Sequence, residues 1–218
     1  MILGELRRVI LDGAVPPCTV IPLREVAVLF GVSHIPVREA LKTLIGEGLV
    51  THEPHGDYVV AQLTAAELRE MYIVRETLEN AALAAAAINA SAADRADLIA
   101  VNALLEQAIR DDDPVAYHRR SRDFHAALTR PSRLFRLLHM LESAWNVTEP
   151  VQSMVHIGRG DRVRLHTDHA LMMDAFLARD VDRLLLTAER HHRRLESVIA
   201  TLPTDTGLLA PEDISAAQ

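Results

Sequence analysis

The stretch Pro22–Gly48 restricts the fold of this chain more than any other part of the sequence. Its apolar spacing predicts two short helices, Leu23–Phe30 and a second that begins after Ser33, with a break at Gly31. Glycine accepts the positive φ of a tight turn, and serine is a good N-cap for the helix that follows. Pro36 fits the first turn of that helix, because the N–H it lacks has no partner there. The arrangement is typical of a helix-turn-helix.

The second helix is expected to have one buried face and one exposed face. Apolar residues at helical spacing predict a buried stripe, which consists of Val37, Ala40, Leu41, Leu44 and Ile45. The opposite face carries His34, Ile35, Arg38 and Lys42. In a helix-turn-helix protein, the second helix lies in the major groove of DNA and its exposed side chains contact the bases.

Two segments after this helix have the composition of β-strands, Leu49–Glu53 and Tyr58–Gln62. The tetrapeptide Pro54-His55-Gly56-Asp57 between them is typical of a hairpin turn. A helix-turn-helix followed directly by a hairpin predicts a winged helix, whose wing tip contacts the DNA backbone or the minor groove. The pattern leaves one alternative open, a helical hairpin with a small sheet and no role in nucleic-acid binding.

The run LREVAVLFGVSHIPVREALKTLIGEGLV resembles the DNA-binding domain of the GntR family of bacterial transcription regulators. The segments REVA, HIPVREAL and EGLV are its most specific parts, and the resemblance covers about residues 3–62. The sequence departs from the family at His34, where Arg is commoner, and at Ile35, where Thr is usual. Because histidine lacks the bidentate guanine contact of arginine, a different target sequence is expected. The resemblance implies that DNA is contacted by Arg24, His34, Arg38, His55 and Gly56, and the exposed face of the second helix adds Ile35 and Lys42 as candidates.

Composition favours a helical protein without disulfide bonds. The chain has 218 residues, enough for one large or two modest domains. Aromatic residues make up only 4% of it, so the core must consist of Ala, Leu, Val and Ile, which favour helices. A lone cysteine, Cys18, fits a reducing cytosol. No signal peptide and no apolar run of about 20 residues is present, which predicts a cytoplasmic protein with no membrane partner.

The charge balance is unusual for a protein that binds nucleic acid. The formal net charge is −7, and residues 1–63 contain five basic and seven acidic side chains. A strong basic footprint is therefore absent. We expect weak non-specific affinity for DNA and a homodimer that binds a pseudo-palindromic operator.

The segment after the wing is predicted to be entirely helical. Thr64-Ala65-Ala66-Glu67 is a capping box, and the helix that it begins is expected to reach about Asn89. Residues 64–202 then predict an antiparallel bundle of six or seven helices, and residues 203–218 a flexible tail. The fold class is mainly α, with a winged helix-turn-helix in residues 1–63. The bundle resembles the all-helical FCD effector domain of the FadR-type branch of the same family.

Histidines suggest a metal site in this bundle. Of the 11 histidines, eight follow residue 64, and His125, His169 and His191 fall on different predicted helices. The resemblance implies a divalent metal, Zn²⁺ or Ni²⁺, held by one Asp and three His in the bundle core. Ser121 stands where the family has that Asp, and Asp123 lies on another face of the helix, so weaker binding is expected. The alternative is that the three histidines are polar residues that line a cavity. Surface positions are predicted for His118, His139, His156, His166 and His192.

Arg75 is the candidate for binding an effector. A guanidinium can bind a carboxylate through two parallel hydrogen bonds, and similar domains commonly have Arg at this position. The alternative is an ion pair with Glu79, one turn further along the same helix. Trp145 and Asn146 are expected to line the same pocket, although Trp145 also fits an ordinary core residue.

A winged helix joined without a linker to a cavity-forming bundle predicts a ligand-responsive transcription regulator. The family implies a small organic acid as its effector. A metal-dependent hydrolase is a second hypothesis, but the sequence has no acidic residue one turn from His125, no His-Glu-x-x-His and no nucleophile motif. We therefore expect no enzymatic activity. A third hypothesis is an architectural DNA-binding protein without an effector.

Overall fold

The computed structural model describes residues 1–54, 56–202 and 207–211. The chain divides into two compact units, and the first boundary follows Leu68. The first unit comprises residues 1–68, 146–151 and the described C-terminal residues, and the second comprises residues 69–145 and 152–202. No helix within the described ranges combines the length and the apolar character needed to cross a membrane.

The first unit is a winged helix-turn-helix, as predicted. Three helices precede the hairpin, α1 (Ile2–Leu11), α2 (Leu23–Phe30) and α3 (His34–Gly46). The hairpin consists of β2 (Val50–His52) and β3 (Tyr58–Val60), which pair in antiparallel fashion. A two-residue strand that the sequence did not predict, β1 (Val20–Ile21), pairs with the other edge of β3, which gives the order β1-β3-β2.

The turn between α2 and α3 depends on glycine. Gly31 has φ +63°, a left-handed conformation, and its N–H donates to the carbonyl of Val28 at 3.1 Å. Ser33 occupies the N-cap of α3 as predicted, but its hydroxyl makes no capping hydrogen bond. Pro36 lies in the first turn of α3. The backbone of the turn, rather than the serine side chain, therefore sets the angle between the two helices.

The core of the first unit forms under α3. Four of the five predicted residues are buried, and Val37, Leu41 and Leu44 are fully inaccessible. The prediction for Ile45 is wrong, because this side chain is 38% exposed. Successive helical residues are separated by about 100° around the axis, so Ile45 falls at the edge of the buried stripe. The other core residues of this unit include Ile10, Leu49 and Val60.

The second unit consists of most of α4 to α10 and confirms the predicted all-helical bundle. Short 3₁₀ turns occur at Arg130–Ser132 and Glu149–Val151. The helices are α4 (Ala65–Asn89), α5 (Ala92–Arg110), α6 (Pro114–Thr129), α7 (Phe135–Thr148), α8 (Ser153–His156), α9 (Arg159–Ala178) and α10 (Val181–Ile199).

Side-chain caps determine where several of these helices begin. The predicted capping box before α4 is present, with the Thr64 N–H donating to Glu67 Oε2 at 2.8 Å and the Glu67 N–H donating to Thr64 Oγ1 at 3.1 Å. Ser91 and Asp94 form a second capping box at α5. Asp113 caps α6 directly before Pro114. Each cap satisfies N–H groups that the helix itself leaves unpaired.

Short connections bring α6, α9 and α10 together in the second unit. Three residues separate α5 from α6, and only Arg179-Asp180 separates α9 from α10. The two helices of each pair are therefore antiparallel. Helix α9 packs against both α10 and α5, and α6 packs against α5, α8 and α9. Buried side chains such as Phe124 and Phe176 fill the space between them. The polar residues of the next section project into this core.

The described part of the C-terminal segment lies against the linker after the wing. Gln62 Nε2 donates to the carbonyl of Gly207 at 2.5 Å, and the Ala210 N–H donates to the carbonyl of Leu63 at 2.8 Å. Leu209 is 3% exposed. The rest of the predicted flexible tail, residues 203–206 and 212–218, lies outside the described residues.

Candidate functional site

A small polar cavity lies inside the second unit, between α4, α6, α7, α9 and α10. Its volume is about 20 Å³, which is room for one water molecule or one ion. An organic acid of several atoms does not fit this conformation unless the lining side chains move. The polar and aromatic residues of the lining include Arg75, Tyr117, His118, Ser121 and Trp145, together with the three predicted histidines.

The structure brings His125, His169 and His191 together. They come from α6, α9 and α10, and none is more than 2% exposed. Each offers a ring nitrogen, and these three nitrogens all lie within 4.8 Å of one another. The rings of His169 and His191 have centroids 4.5 Å apart. The cluster is therefore compact enough for one ion.

Helix geometry explains why these three residues meet. His169 and His191 lie at similar distances on either side of the Arg179-Asp180 turn, so the antiparallel helices α9 and α10 place them opposite each other. His125 projects from α6, which packs against α9. Ser121 is one turn earlier on α6 and also lines the cavity. Ser121, the position at which the resemblance implies a carboxylate, thus faces the same space as the histidines.

His169 and His191 are suited to bind a cation, because burial favours their neutral form and leaves ring nitrogens without a partner among the described residues. Burial lowers the pKa of His169 and of His191 well below the usual range, and the neighbouring imidazoles lower it further. Among the described residues, both ring nitrogens of His169 and Nδ1 of His191 have no hydrogen-bond partner. Such buried polar atoms are costly to leave unsatisfied, and a bound ion would satisfy them.

These residues fit a divalent metal, although with an incomplete ligand set. In a tetrahedral Zn²⁺ site, ligand nitrogens are about 3.3 Å apart, so an ion would draw the three rings closer together. Three neutral imidazoles suit Zn²⁺ or Ni²⁺. Ser121 offers only a hydroxyl in place of a carboxylate. The remaining coordination positions would be open to water or to oxygen atoms of a ligand.

Arg75 places a positive charge in the wall of the cavity. Its side chain is 4% exposed, and its guanidinium carbon lies 3.2 Å from the centroid of the Trp145 ring and 4.5 Å from that of Tyr72. The ring face attracts a cation at such a distance, which favours this position of the guanidinium. Asn146 differs from the prediction, because it is half-buried, belongs to the first unit and is not among the described residues of the lining.

Sequence reasoning missed the role of Glu79, which it considered only as an ion-pair partner of Arg75. The Nδ1–H of His125 donates to Glu79 Oε2 at 2.8 Å, and His192 Nε2 lies 3.3 Å from the same oxygen. Burial alone would raise the pKa of Glu79, but the contacts with His125 and His192 outweigh it and hold the pKa well below the usual range. The four-residue spacing from Arg75 was the available signal, since it places both side chains on one face of α4.

Two of the five histidines predicted at the surface are buried. His118 lines the cavity and is 8% exposed, and His192 is 6% exposed. His118 lies two helical turns before His125 and therefore shares its face, a spacing that the prediction overlooked. His139 and His156 are exposed as predicted, and His166 is half-buried.

The candidate DNA-binding residues lie on the surface of the first unit. Lys42 forms an exposed ion pair with Glu39 at 2.9 Å, a contact that contributes little to stability. Arg24 and Arg38 take part in no ion pair among the described residues. His55 lies outside the described residues, so its predicted contact has no structural counterpart here. The other six candidates are exposed, namely Arg24, His34, Ile35, Arg38, Lys42 and Gly56.

Two protein families match different parts of the chain and together cover most of it. Residues 1–60 match the gntR family of bacterial regulatory proteins, and residues 70–194 match the FCD domain. The gluconate operon transcriptional repressor of Bacillus licheniformis is 25% identical over 218 residues, 94% of this chain and 86% of the relative. The uncharacterized HTH-type transcriptional regulator YdhC of Bacillus subtilis is 32% identical, but the match spans only 37% of this chain and 36% of the relative.

Solved structures share the fold over most of the chain. Escherichia coli McbR/YncC superposes with a TM-score of 0.81 at 23% identity, covering 91% of this chain and 95% of that one. A putative GntR regulator from Rhodococcus sp. RHA1 gives a TM-score of 0.80 at the same identity and coverage. The chain therefore belongs to the GntR family of bacterial transcription regulators, with an FCD domain after its DNA-binding domain, and not to a family of enzymes.

Proposed function

We propose that the protein is a homodimer that binds a pseudo-palindromic operator in double-stranded DNA, and that a small carboxylic acid in the FCD domain modulates this binding. A divalent metal, Zn²⁺ or Ni²⁺, held by His125, His169 and His191 completes the proposed effector site. One observation carries the proposal. Three buried imidazoles and the buried guanidinium of Arg75 line a single cavity.

The charges of this cavity favour an anionic ligand. A divalent ion adds two positive charges to a space that Arg75 already borders. A carboxylate can place one oxygen on the open side of the metal and accept hydrogen bonds from the guanidinium with the other. Because the cavity has a volume of only about 20 Å³, binding an acid displaces lining side chains. That displacement is the step through which the effector acts on the rest of the protein.

The DNA-binding half of the proposal depends on helix α3. The exposed residues His34, Ile35, Arg38 and Lys42 lie on its outer face. The DNA-binding domain has a net charge of −2 and gains little from general attraction to phosphates. Its specificity for an operator therefore rests on a few base contacts and on the two copies of the domain in a dimer. Two recognition helices one helical turn of DNA apart match a pseudo-palindrome. A protein with this role acts in the bacterial cytoplasm.

The experiment begins with duplexes selected from a random pool by the purified protein. Metal-stripped protein receives Zn²⁺ or Ni²⁺, and its operator affinity is measured by fluorescence anisotropy while two- to six-carbon carboxylic acids are added. We expect at least one acid to change the affinity of the wild type. Arg75→Gln should abolish the response, and Arg136→Gln, an exposed position on α7, should retain it. Sequence-specific binding with no response to any acid or metal would instead indicate an effector-independent architectural protein.

Light scattering tests the oligomeric state separately. The chain has a mass of 24.1 kDa, and a dimer has about twice that value. A protein that stays monomeric when bound to its selected operator would contradict the dimer.

A further inference from the structure

Glu79 is a carboxylate buried at the back of the histidine cluster. It is 1% exposed and comes from α4, whereas the three histidines come from α6, α9 and α10. A buried carboxylate is costly unless it is paired and hydrogen-bonded. Here both contacts to Oε2 come from imidazoles, His125 at 2.8 Å and His192 at 3.3 Å. The protein thus holds a negative charge directly behind one of the candidate ligands.

The hydrogen bond from His125 determines which nitrogen of this ring can bind a metal. The carboxylate is an acceptor, so Nδ1 must carry the proton and Nε2 the lone pair. Metal-binding histidines usually donate their second ring N–H to a carboxylate or a carbonyl, which fixes the tautomer and the ring plane. No such partner exists among the described residues for His169, whose two nitrogens are both unpaired. The carboxylate therefore acts on one histidine of the three.

We propose that Glu79 is a positioning residue for the metal, holding His125 in the tautomer that presents Nε2 and supplying a negative charge next to a ligand set of three neutral imidazoles. This inference rests on the proposed metal site. Ser121 faces the cavity without a charge. Through His125, Glu79 partly neutralises a divalent ion without occupying one of its coordination positions. Those positions remain open for an effector.

His192 supports the carboxylate from a second helix. It directly follows His191 on α10, so the same helix supplies a candidate ligand and a brace for Glu79. Nε2 of His192 faces Glu79 Oε2. Nδ1 of the same ring is buried and has no hydrogen-bond partner among the described residues. Glu79 Oε2 thus lies between two rings, which limits its rotation. Its other oxygen, Oε1, is buried and has no hydrogen-bond partner in the described part of the chain.

The first test measures the affinity of the metal-stripped, full-length protein for Zn²⁺ by competition with a chromophoric chelator. Glu79→Gln keeps the size of the side chain and a hydrogen-bond acceptor but removes the charge. Loss of such a partner typically weakens metal binding about 10–100-fold, and we expect a decrease in this range. Glu70→Gln, an exposed position on the same helix, is the matched control and should bind like the wild type. Unchanged affinity in Glu79→Gln would overturn the proposal.

The second test needs no variant of Glu79, so it can be carried out even if Glu79→Gln does not fold. Long-range ¹H–¹⁵N spectra of the wild type with Zn²⁺ report the tautomer of each imidazole, and the His125 signals are assigned by their loss in His125→Gln. We expect a protonated Nδ1 and a metal-bound Nε2 on His125. A metal-bound Nδ1 would overturn the role of Glu79. If the wild type binds neither Zn²⁺ nor Ni²⁺, the metal site itself fails, and this inference with it.

Discussion

Arg38 lies on the exposed face of α3 and forms no ion pair among the described residues, whereas Lys42 on the same face is paired with Glu39. We predict that Arg38→Ala weakens operator binding by about 1–3 kcal/mol for each recognition helix, the usual value of a lost base contact. Thermal stability should not change, because the side chain is exposed. Anisotropy with the selected operator measures the loss, and Arg136→Ala serves as the control. Unchanged operator affinity would show that α3 does not lie in the groove as proposed.

The buried histidines make the stability of the metal-free protein depend on pH. Because the folded state holds the pKa values of His169 and His191 well below their usual range, the unfolded chain binds protons at higher pH than the folded one. Above about pH 6.5, these two histidines do not lower the free energy of unfolding. As the pH falls below this value, the free energy of unfolding decreases by up to about 1.4 kcal/mol per pH unit for each histidine.

Urea denaturation in the presence of a chelator at pH 7.5, 6.5 and 5.5 measures this slope. We expect the free energy of unfolding to fall across the acidic half of the series. His169→Gln should give a shallower slope, and His139→Gln, an exposed position, should leave the slope unchanged. A free energy that does not vary between pH 6.5 and 5.5 would contradict the burial of neutral imidazoles.

At the scale of single residues, sequence spacing predicted which side chains share one face of a helix. It did not predict which helix faces pack against each other. It placed Ser121 and His125 on one side of α6, and it placed His169 and His191 on helices joined by a short turn. Glu79 is 46 positions from His125, and only the packing of α4 brings the carboxylate within 2.8 Å. Likewise, His192 contacts Glu79 of α4, and no spacing rule relates these two residues.

At the scale of secondary structure, α9 and α10 are connected by an ion-pair cluster beside the candidate ligands. Asp168 precedes His169, is 2% exposed and accepts hydrogen bonds from Arg190 Nε at 3.1 Å and Arg194 Nε at 2.7 Å. The two arginines are one turn apart on α10, so the carboxylate fixes the register between the helices. His169 and His191 depend on that register to face each other.

We predict that Asp168→Asn lowers the free energy of unfolding by about 1.5–3 kcal/mol, the usual contribution of hydrogen bonds to a charged group. The low end is expected, because both arginines retain access to water. Zn²⁺ affinity should also fall, since the register of His169 and His191 loosens. Urea denaturation and chelator competition measure the two effects. Asp174→Asn, an exposed change on the same helix, is the control, and equal stability of the two variants would contradict the prediction.

Helix boundaries were predictable where a cap or a proline marks them, as at Ser91, Pro114 and Thr64. Helix α9 begins at Arg159, although Gly158 and Gly160 beside it favour a break in the helix. Glycine lowers helix propensity by about 1 kcal/mol, but tertiary contacts override this cost. Here the Arg162 guanidinium donates to the carbonyl of Ile157 at 2.5 Å and to Asp112 at 3.1 Å, which anchors the first turn. No local pattern reveals such a contact.

At the scale of the whole molecule, the winged helix and the cavity lined by the histidines lie in separate compact units of one chain. The proposed regulation requires that ligand binding in one unit changes the affinity of the other for DNA. Thermodynamic linkage then fixes a quantitative relation between the two sites. If an acid weakens operator binding by a given factor, the operator must weaken acid binding by the same factor.

We predict that this reciprocal factor is about 5–150, the usual range for allosteric proteins. Calorimetry measures the affinity for the acid with and without saturating operator, and anisotropy measures the affinity for the operator with and without saturating acid. Arg75→Gln should reduce both factors to about one while the acid-free protein still binds the operator like the wild type, because Arg75 lies in the second unit. If Arg75→Gln instead weakened operator binding in the absence of acid, Arg75 would support the fold of the regulator rather than sense its effector.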